Sequence, residues 1–348
     1  MIAFYAPMKP PTHATPSGDR QIARNLLALL PNAELVSDLR VYDGQGNENT
    51  QSALIQAATQ ERARLVDALR VRKPKAWVTY HNYYKAPDLL GPHVASALGV
   101  PYLLIEATRA KKRLHGPWAT FAALAEEASD AADAILYFTQ YDKEALEQHR
   151  AGAQHLIHLP PFLPDRTLPA AAAPEPNAPV LAVGMMRPGD KLASYTLIAE
   201  TLHLMRGDWR LDIAGDGPAR ADVEALMAPF GNQVRFLGQL NADGLSRAYA
   251  RACGFLWPGV GEAFGMVYLE AQARGLRVIA QDRPGVRDVL APGHYPLVKD
   301  GPAGLARCLK EVLSQPVDSD KIRRYIAQNH LAPAAQATIE RAISAVAL

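Results

Sequence analysis

Short apolar runs alternate with stretches of helical spacing over most of this 348-residue chain. In the first half, the runs with strand character are Ile2–Tyr5, Ala76–Tyr80, Tyr102–Ile105 and Ala134–Phe138. Apolar residues recur at helical spacing between these runs, in Asp19–Leu30, Gln51–Arg70, Asp88–Leu98 and Phe121–Ser129. This alternation is typical of parallel βαβ units, so it predicts a doubly wound α/β sheet.

The alternation resumes in the second half of the chain. The predicted strands there are Val180–Val183, Arg210–Ala214, Val234–Phe236, Gly254–Trp257 and Arg277–Ala280. The predicted helices between them are Leu192–Met205, Ala219–Met227, Asp243–Arg251 and Met266–Arg274. We therefore expect two similar α/β domains, with small-molecule sites at the carboxyl ends of their strands.

A proline-rich segment separates the two halves. Residues 159–179 hold seven of the 27 prolines, and proline neither continues a helix nor donates to a sheet. The predicted domains are therefore residues 1–163 and 180–332, joined by a Pro/Ala-rich linker at 164–179. A last amphipathic helix, at about residues 333–348, is expected to pack back on the first domain.

Composition excludes several classes of protein. The 37 basic and 35 acidic residues leave a net charge of +2, which gives no electrostatic footprint for nucleic acid. Two cysteines are too few for a disulfide framework or a cysteine-ligated zinc site. No apolar run approaches the roughly 18 residues of a transmembrane segment, and the first apolar run is too short for a signal peptide. We therefore expect a cytoplasmic protein, with peripheral contact at the inner face of a membrane left open.

Two glutamates, Glu262 and Glu270, flank a predicted strand-to-helix turn. The turn follows a strand that ends at Trp257, and the helix begins near Gly265. Free backbone amides at a helix start favour an anion, and glycine lets a phosphate approach closely. The carboxylates should lie about 10 Å apart, which suits a ligand with hydroxyls at both ends and phosphates between them. The spacing alone is equally compatible with one glutamate at the helix dipole and a second, solvated one.

Several motifs in order resemble glycosyltransferase family 4. Glu262 and Glu270 match the two glutamates, seven residues apart, of the retaining members, with Ala263 in place of a family glycine. The further matches are Gly215-Asp-Gly217-Pro218, Val234-Arg-Phe-Leu-Gly238 and Gly275-Leu-Arg-Val-Ile279. The resemblance implies the GT-B architecture, in which two Rossmann-like domains flank a cleft and the second domain holds a nucleotide-sugar donor.

The resemblance also implies roles for residues of the second domain. Glu270 would hold the donor ribose, and Glu262 would lie beside the donor sugar as a catalytic residue. The other donor-site residues are Phe264, Gly265 and Met266, whose amides would meet the sugar and diphosphate, and Gly215 and Gly217 in a turn near the donor pocket.

Basic residues after the first strand of this domain are candidates for binding the diphosphate. Lys191 matches a family lysine. The family arginine that directly follows the first glycine of this loop is replaced by Met185, so Arg187 is a displaced candidate. The alternative for both Lys191 and Arg187 is a solvated basic loop.

Candidate acceptor or cleft residues lie in the first domain. Gly18, in the loop Pro16–Arg20, matches a family glycine near the acceptor and the donor phosphates, while Asp19 fits a helix N-cap. His81 directly follows a predicted strand, where polar and aromatic groups could hold an acceptor. Ordinary hydrogen bonds at a strand end are the alternative for His81.

Glu106 closes the next strand, at the position where the family places a histidine. As a catalytic candidate, it could bind the acceptor hydroxyl or pull on its proton. It could equally pair with Arg109 or Lys111 and anchor the loop. The basic run Arg109–Arg113 favours a solvated loop, with contact to an anionic acceptor or a membrane surface as the alternative.

Together these features predict a retaining glycosyltransferase that moves a sugar from a nucleotide diphosphate to an acceptor hydroxyl, in the synthesis of glycans or glycoconjugates. Lys191, Arg187 and the helix start at Gly265 would offset the leaving-group charge, so we expect neither a metal nor another cofactor. The acceptor would be a glycan, a lipid-linked group or a small molecule. Two rivals stay open: a nucleotide-sugar epimerase or phosphorylase on the same fold, and a non-catalytic nucleotide-sugar or glycan-binding protein.

Overall fold

The computed structural model describes residues 1–12, 18–30, 32–315 and 318–347. The chain divides into two compact units, one of Met1–Pro160 with Ala335–Leu348 and the other of Pro161–Ala334. In each unit the described strands form one sheet, and paired neighbours run parallel. The prediction of two Rossmann-like α/β domains is confirmed.

The first unit has a sheet buried between helices. Its strands are β1 (Ile2–Tyr5), β2 (Ala33–Ser37), β3 (Trp77–Asn82), β4 (Tyr102–Ala107), β5 (Ala134–Tyr137) and β6 (His155–His158). They lie in the order β2-β1-β3-β4-β5-β6. Its helices include α1 (Gly18–Leu29), α2 (Glu48–Val71), α3 (Gly91–Leu98), α4 (Ala119–Ala131) and α5 (Gln140–Gln148). Strands β1 and β5 are buried along their whole length, as expected where helices cover both faces of a sheet.

The second unit repeats this organisation. Its strands are β7 (Val180–Val183), β8 (Leu211–Ala214), β9 (Val234–Gly238), β10 (Gly254–Leu256) and β11 (Val278–Ile279), in the order β11-β10-β7-β8-β9. Its helices are α6 (Asp190–His203), α7 (Arg220–Met227), α8 (Ala242–Arg251), α9 (Met266–Ala273), α10 (Gly301–Ser314) and α11 (Ser319–Asn329). The core contains the fully buried rings of Tyr195, Tyr249, Phe255, Trp257 and Tyr268.

The last helix and the proline-rich segment connect the units along the chain. Helix α12 spans Ala332–Val346, and its residues from Ala335 onward belong to the first unit. The proline-rich segment lies along the second unit: the amides of Ala172 and Ala173 donate to carbonyl oxygens of Arg274 and Ala250 at 2.8 and 2.9 Å. This part of the segment is therefore held by backbone hydrogen bonds rather than left as a free spacer.

Some elements were not predicted from sequence, namely β2, β6, α5 and α10. Strands β2 and β6 are the edges of the first sheet, and several of their side chains stay partly exposed, so they lack a continuous apolar run. Helix α5 is polar and begins after Thr139, whose hydroxyl accepts from the amide of Asp142 at 3.2 Å. Among the described helices, none is both long enough and apolar enough to cross a membrane.

Candidate active site

Glycines at the carboxyl end of β8 let the loop after it touch the loop after β7. A Cβ atom on Gly215 would lie 1.9 Å from the carbonyl oxygen of Gly184, and one on Gly217 would lie 2.3 Å from that of Met186. Both positions also have a positive φ, of 148° and 153°. Only glycine fits there without moving the neighbouring loop, so these two residues shape the backbone of the candidate donor site.

Lys191, Glu262 and Trp257 form a cluster beside these loops. The Lys191 ammonium pairs with Oε1 of Glu262, which also accepts a hydrogen bond from Nε1 of Trp257 at 2.8 Å. The same ammonium lies 5.4 Å from the centre of the Trp257 ring. Only 27% of the Lys191 side chain and 13% of the Glu262 side chain are exposed, so water screens their attraction incompletely. The sequence singled out the two charged residues but not Trp257, although it closes a predicted strand.

The loop that carries Glu262 is fixed by contacts to α6. The amide of Val260 donates to the hydroxyl of Ser194 at 3.1 Å. Gly261, with a φ of 64°, packs so closely that a Cβ atom would lie 2.2 Å from the carboxylate of Asp190. The position of Glu262 is therefore set by its backbone and by its two side-chain partners.

Gly265 ends that loop at the start of α9. It has a φ of 82°, and the helix begins at Met266. The first amides of a helix have no partner within it, and the helix dipole favours an anion beside them. Phe264, Gly265 and Met266 are all partly exposed, so a ligand can approach this helix start.

Glu270 lies one turn into α9 and is half-buried. The hydroxyl of Tyr249 donates to its Oε2 at 2.9 Å. Burial raises the pKa of Glu270 above its ordinary value, and this outweighs the lowering by Tyr249 and by the charge of Arg274. Glu270 is thus a shielded acceptor with a fixed partner, not the solvated side chain that spacing alone allowed.

Arg187 and Arg283 add positive charge at the same sheet edge. Arg187 is exposed, and within the described ranges its side chain forms no ion pair. Arg283, which sequence reasoning missed, follows β11 and donates to Oε1 of Gln281 at 2.6 Å, while burial lowers its pKa. The loop that carries Arg283 packs against the loop that carries Glu262. A Cβ atom on Gly285 would lie only 1.8 Å from the carbonyl oxygen of Ala263. The rule that sites form at strand ends could have found Arg283.

In the first unit, His81 and Glu106 face each other across neighbouring strands. The register of β3 and β4 sets them side by side, with Nδ1 of His81 3.5 Å from Oε2 of Glu106. Both residues have a positive φ, 74° and 61°, which costs about 1–3 kcal/mol for each. These two atoms and the hydroxyl of Tyr80 are buried without a hydrogen-bond partner in the part of the chain that the structure describes. Backbone strain and unmet hydrogen-bonding capacity therefore coincide at one place.

The charge of this pair favours protonation of His81. Burial is the largest single influence and lowers the pKa of His81, but the Glu106 carboxylate and, to a smaller extent, Asp19 together raise it by more. The net result is a pKa above the ordinary histidine value.

The alternative in which Glu106 anchors the loop through Arg109 is wrong. Nη1 of Arg109 lies 2.9 Å from Oε2 of Glu126 and 2.6 Å from Oδ1 of Asp130. Within the described ranges, Glu106 forms its ion pair with His81 and none with Lys111.

Gly18 is the first residue of α1. Asp19 lies inside the first turn rather than at the N-cap, and it pairs with Lys9. Pro16 and Ser17, the start of the predicted loop, lie outside the described residues.

The second-unit site can neutralise an anion with groups of the protein. Lys191, Arg187 and the start of α9 lie at the carboxyl edge of one sheet, as do the two glutamates of the motif. No group of three or more His, Cys, Asp or Glu side chains suited to a metal ion occurs in the part of the chain that the structure covers.

Comparison with known sequences identifies relatives of this chain. Residues 178–315 match the family model described as glycosyl transferases group 1. The GDP-mannose-dependent alpha-mannosyltransferase of Mycolicibacterium smegmatis is 27% identical over 281 residues, which is 75% of this chain and 71% of that protein. Other relatives match over shorter stretches, which span 16%, 30% and 19% of their own lengths.

Solved structures share the fold over nearly the whole chain. The apo form of the lipopolysaccharide outer core galactosyltransferase WaaB is similar with a TM-score of 0.69 at 18% identity, over 99% of both chains. Anabaena HepE in complex with UDP is similar with a TM-score of 0.69 at 14% identity, again over 99% of both. At such identities the likeness concerns the fold.

Proposed function

We propose that this chain, a GT-B glycosyltransferase of the family 4-like kind, transfers a sugar from a nucleotide-sugar donor to an acceptor hydroxyl with retention of anomeric configuration. The proposed donor is a nucleotide-diphosphate sugar, and the proposed product is a glycan or glycoconjugate. The observation that carries the proposal is the cluster of Lys191, Glu262 and Trp257 beside the start of α9.

The proposal gives the diphosphate to the cations and to the helix start. Lys191 is already held by Glu262 and by the Trp257 ring, so its side chain loses little further conformational entropy when a phosphate binds it. The diphosphate leaves with its negative charge, and a cation placed there stabilises the transition state more than the ground state. Arg187, which is exposed, is the weaker candidate for the same role. On this account the reaction needs no metal, and transfer should persist in EDTA.

The two glutamates of the motif have separate roles in the proposal. Glu270 accepts a hydrogen bond from the donor ribose while Tyr249 fixes its other oxygen. Glu262 shares its ion pair with the incoming diphosphate, and its carboxylate then orients the sugar and eases the positive charge that develops at the anomeric carbon.

Glu106 and His81 are proposed to hold the acceptor hydroxyl. Their facing atoms are buried and lack hydrogen-bond partners among the described residues, so they have capacity for one more polar group. Glu106 accepts from the hydroxyl, and His81 positions Glu106 through their ion pair. In same-face transfer the departing phosphate takes the acceptor proton, which leaves these two residues a binding and orienting role.

A panel of nucleotide sugars scored by thermal shift tests the proposal. A donor at 100 times its dissociation constant should stabilise the protein by about 2.7 kcal/mol. The nucleoside diphosphate alone should retain much of this effect, whereas the free nucleoside and the free sugar should give little. Stabilisation by none of the nucleotide sugars would overturn the proposed donor class.

A further inference from the structure

A cluster of aromatic and basic side chains lies in the first unit, on the loops after β3 and β4. The rings of Tyr84 and Trp118 meet edge to face, with centroids 5.7 Å apart. Nζ of Lys85 lies 5.7 Å from the centre of the Tyr84 ring and 5.2 Å from that of Trp118. The guanidinium carbon of Arg113 lies 5.0 and 5.6 Å from the same two centres. We name these four residues the cation–aromatic cluster.

Among the described residues, the two cations of this cluster lack a carboxylate partner. Within the described ranges neither Lys85 nor Arg113 forms an ion pair, and the buried Nε of Arg113 has no hydrogen-bond partner there. The carboxylate of Asp43 has other partners: it accepts from three backbone amides and from the side chain of Gln51. The two cations lie over the same rings and repel each other. An anion bound between them would attract both and offset that repulsion.

The cluster is held on a fixed platform. Nε1 of Trp118 donates to the carbonyl oxygen of Asp43 at 3.1 Å, and the amide of Asp43 donates to the carbonyl oxygen of Lys85 at 2.9 Å. Gln51 also donates to the carbonyl oxygen of Pro117 at 2.9 Å. The cluster is therefore organised before any ligand arrives, which lowers the entropic cost of binding.

The structure divides the basic run Arg109–Arg113 into residues with different surroundings. Arg109 is buried and paired with acidic side chains. Lys111 and Lys112 are exposed, whereas Arg113 is half-buried in the cation–aromatic cluster. If this run were a basic strip that binds a membrane surface, all of its charged side chains would be exposed to solvent. One localised pair of cations instead fits one anionic group.

Aromatic rings connect the cluster to His81. The rings of Tyr84 and Tyr83 lie 5.5 Å apart, and those of Tyr83 and His81 lie 5.0 Å apart. The cluster is thus continuous with the place where the proposed function puts the acceptor hydroxyl, and aromatic faces are suitable surfaces for a sugar or polyol ring.

We propose that the acceptor carries a phosphate or carboxylate group, which Lys85 and Arg113 bind while the neighbouring rings contact its sugar or polyol body. The inference rests on the proposed function, since it names the acceptor of that transfer. The planar guanidinium of Arg113 can bind such a group through two hydrogen bonds, and Lys85 adds a second charge.

Paired probes test this inference in the full chain. The probes are glucose 6-phosphate, inositol 1-phosphate and glucuronate, each against its uncharged parent, with binding followed by calorimetry. At least one charged probe should bind tenfold or more tightly than its parent. Vesicles containing phosphatidylinositol, against phosphatidylcholine vesicles, then tell whether the anionic group is presented on a lipid or on a free molecule.

Matched variants locate the binding. Lys85→Gln and Arg113→Gln should each weaken the charged probe about tenfold, and Arg113→Lys should recover part of the loss. Lys112→Gln removes the same charge from the same run and should change little. Thermal melting and donor binding check that each variant is folded.

The outcomes separate this inference from the proposed function. If nucleotide sugars bind but charged and uncharged probes bind alike or not at all, the anionic acceptor is wrong while the donor assignment stands. An equal loss in Lys112→Gln would also overturn it, because general charge would then explain the binding. If no nucleotide sugar binds, the proposed function fails first.

Discussion

Lys191 and Glu262 are 71 residues apart in the sequence, yet they form one ion pair because β7 and β10 are neighbours in the second sheet. Lys191 follows β7 at the start of α6, and Glu262 lies in the loop after β10. Parallel strands bring their carboxyl ends to one edge, so each residue reaches the other over the buried Trp257 ring. In the proposed mechanism the donor diphosphate binds at this ion pair and shares the Lys191 ammonium with Glu262.

Replacing Lys191 by alanine should weaken the nucleoside diphosphate and leave the nucleoside nearly unaffected, because the ammonium is assigned to the phosphates. The loss should be about 1.5–3 kcal/mol, or roughly ten- to a hundredfold in dissociation constant. Calorimetric titration of both ligands measures it. Lys310→Ala, at an exposed position of α10, is the matched control. An equal loss for nucleoside and nucleoside diphosphate would contradict the phosphate assignment.

Replacing Glu270 by glutamine should stabilise the fold near neutral pH while weakening the donor. The pKa of Glu270 is raised by burial, so its ionised form is disfavoured in the folded state. The parent therefore loses stability as the pH rises through that raised pKa, and the variant does not. Below the ordinary glutamate pKa the carboxyl is neutral in folded and unfolded chains, so the advantage of the variant should vanish.

Melting curves of parent and Glu270→Gln between pH 4 and pH 8 measure this difference. Nucleoside diphosphate titrations on the same samples should show a loss of about 1.5–3 kcal/mol as the ribose loses its charged acceptor. Unchanged binding would remove the ribose assignment even if the stability profile agrees.

Replacing Glu106 by glutamine should lower the pKa of His81, because the carboxylate is what raises it against the effect of burial. NMR titration of the His81 ring reads this directly. In the parent, protonated His81 contributes stability that is present below its ordinary pKa and lost as the pH rises through the raised value. The variant should lose that contribution.

Glu106→Gln should also reduce transfer while donor binding and donor hydrolysis persist. Glu106→Gly is a useful companion, because glycine adopts the observed φ of 61° without strain and removes the carboxylate. It should melt no lower than Glu106→Gln yet lose transfer as well. Transfer at the parent rate in both variants would exclude an acceptor role for Glu106.

Replacing Gly215 by alanine should destabilise the second unit by at least about 2 kcal/mol, since the methyl group would collide with the carbonyl oxygen of Gly184. Gly231→Ala is the matched control: it also has a positive φ, 52°, but open space around the new atom, and should cost about 1 kcal/mol. Urea unfolding compares them. Equal costs would show that the contact between the two loops is not what requires glycine.

The elements that sequence reasoning found are those with a local signal. Fully buried strands such as β1 and β5 read as continuous apolar runs, whereas the edge strands β2 and β6 depend on one neighbour and carry polar residues. These edge strands form because each pairs with a neighbouring strand, and the local spacing of apolar residues does not record that pairing.

The candidate site divides in the same way. The resemblance to the family located Glu262 and Lys191, but their contact depends on strand order, and the partner Trp257 reads as an ordinary core residue. The contact between His81 and Glu106 depends on the register of β3 and β4. A positive φ is uncommon outside glycine, so nothing in the sequence predicts one at both residues.

Proton NMR of the transfer reaction shows whether the anomeric configuration of the donor is retained in the product. A donor found in the thermal-shift panel is incubated with the protein and an acceptor, and the anomeric proton of the first product is assigned before mutarotation or hydrolysis can intervene. We predict that the product has the same anomeric configuration as the donor and that Glu262→Gln slows its formation more than it weakens donor binding. A product of inverted configuration would contradict the retaining mechanism and the role given to Glu262.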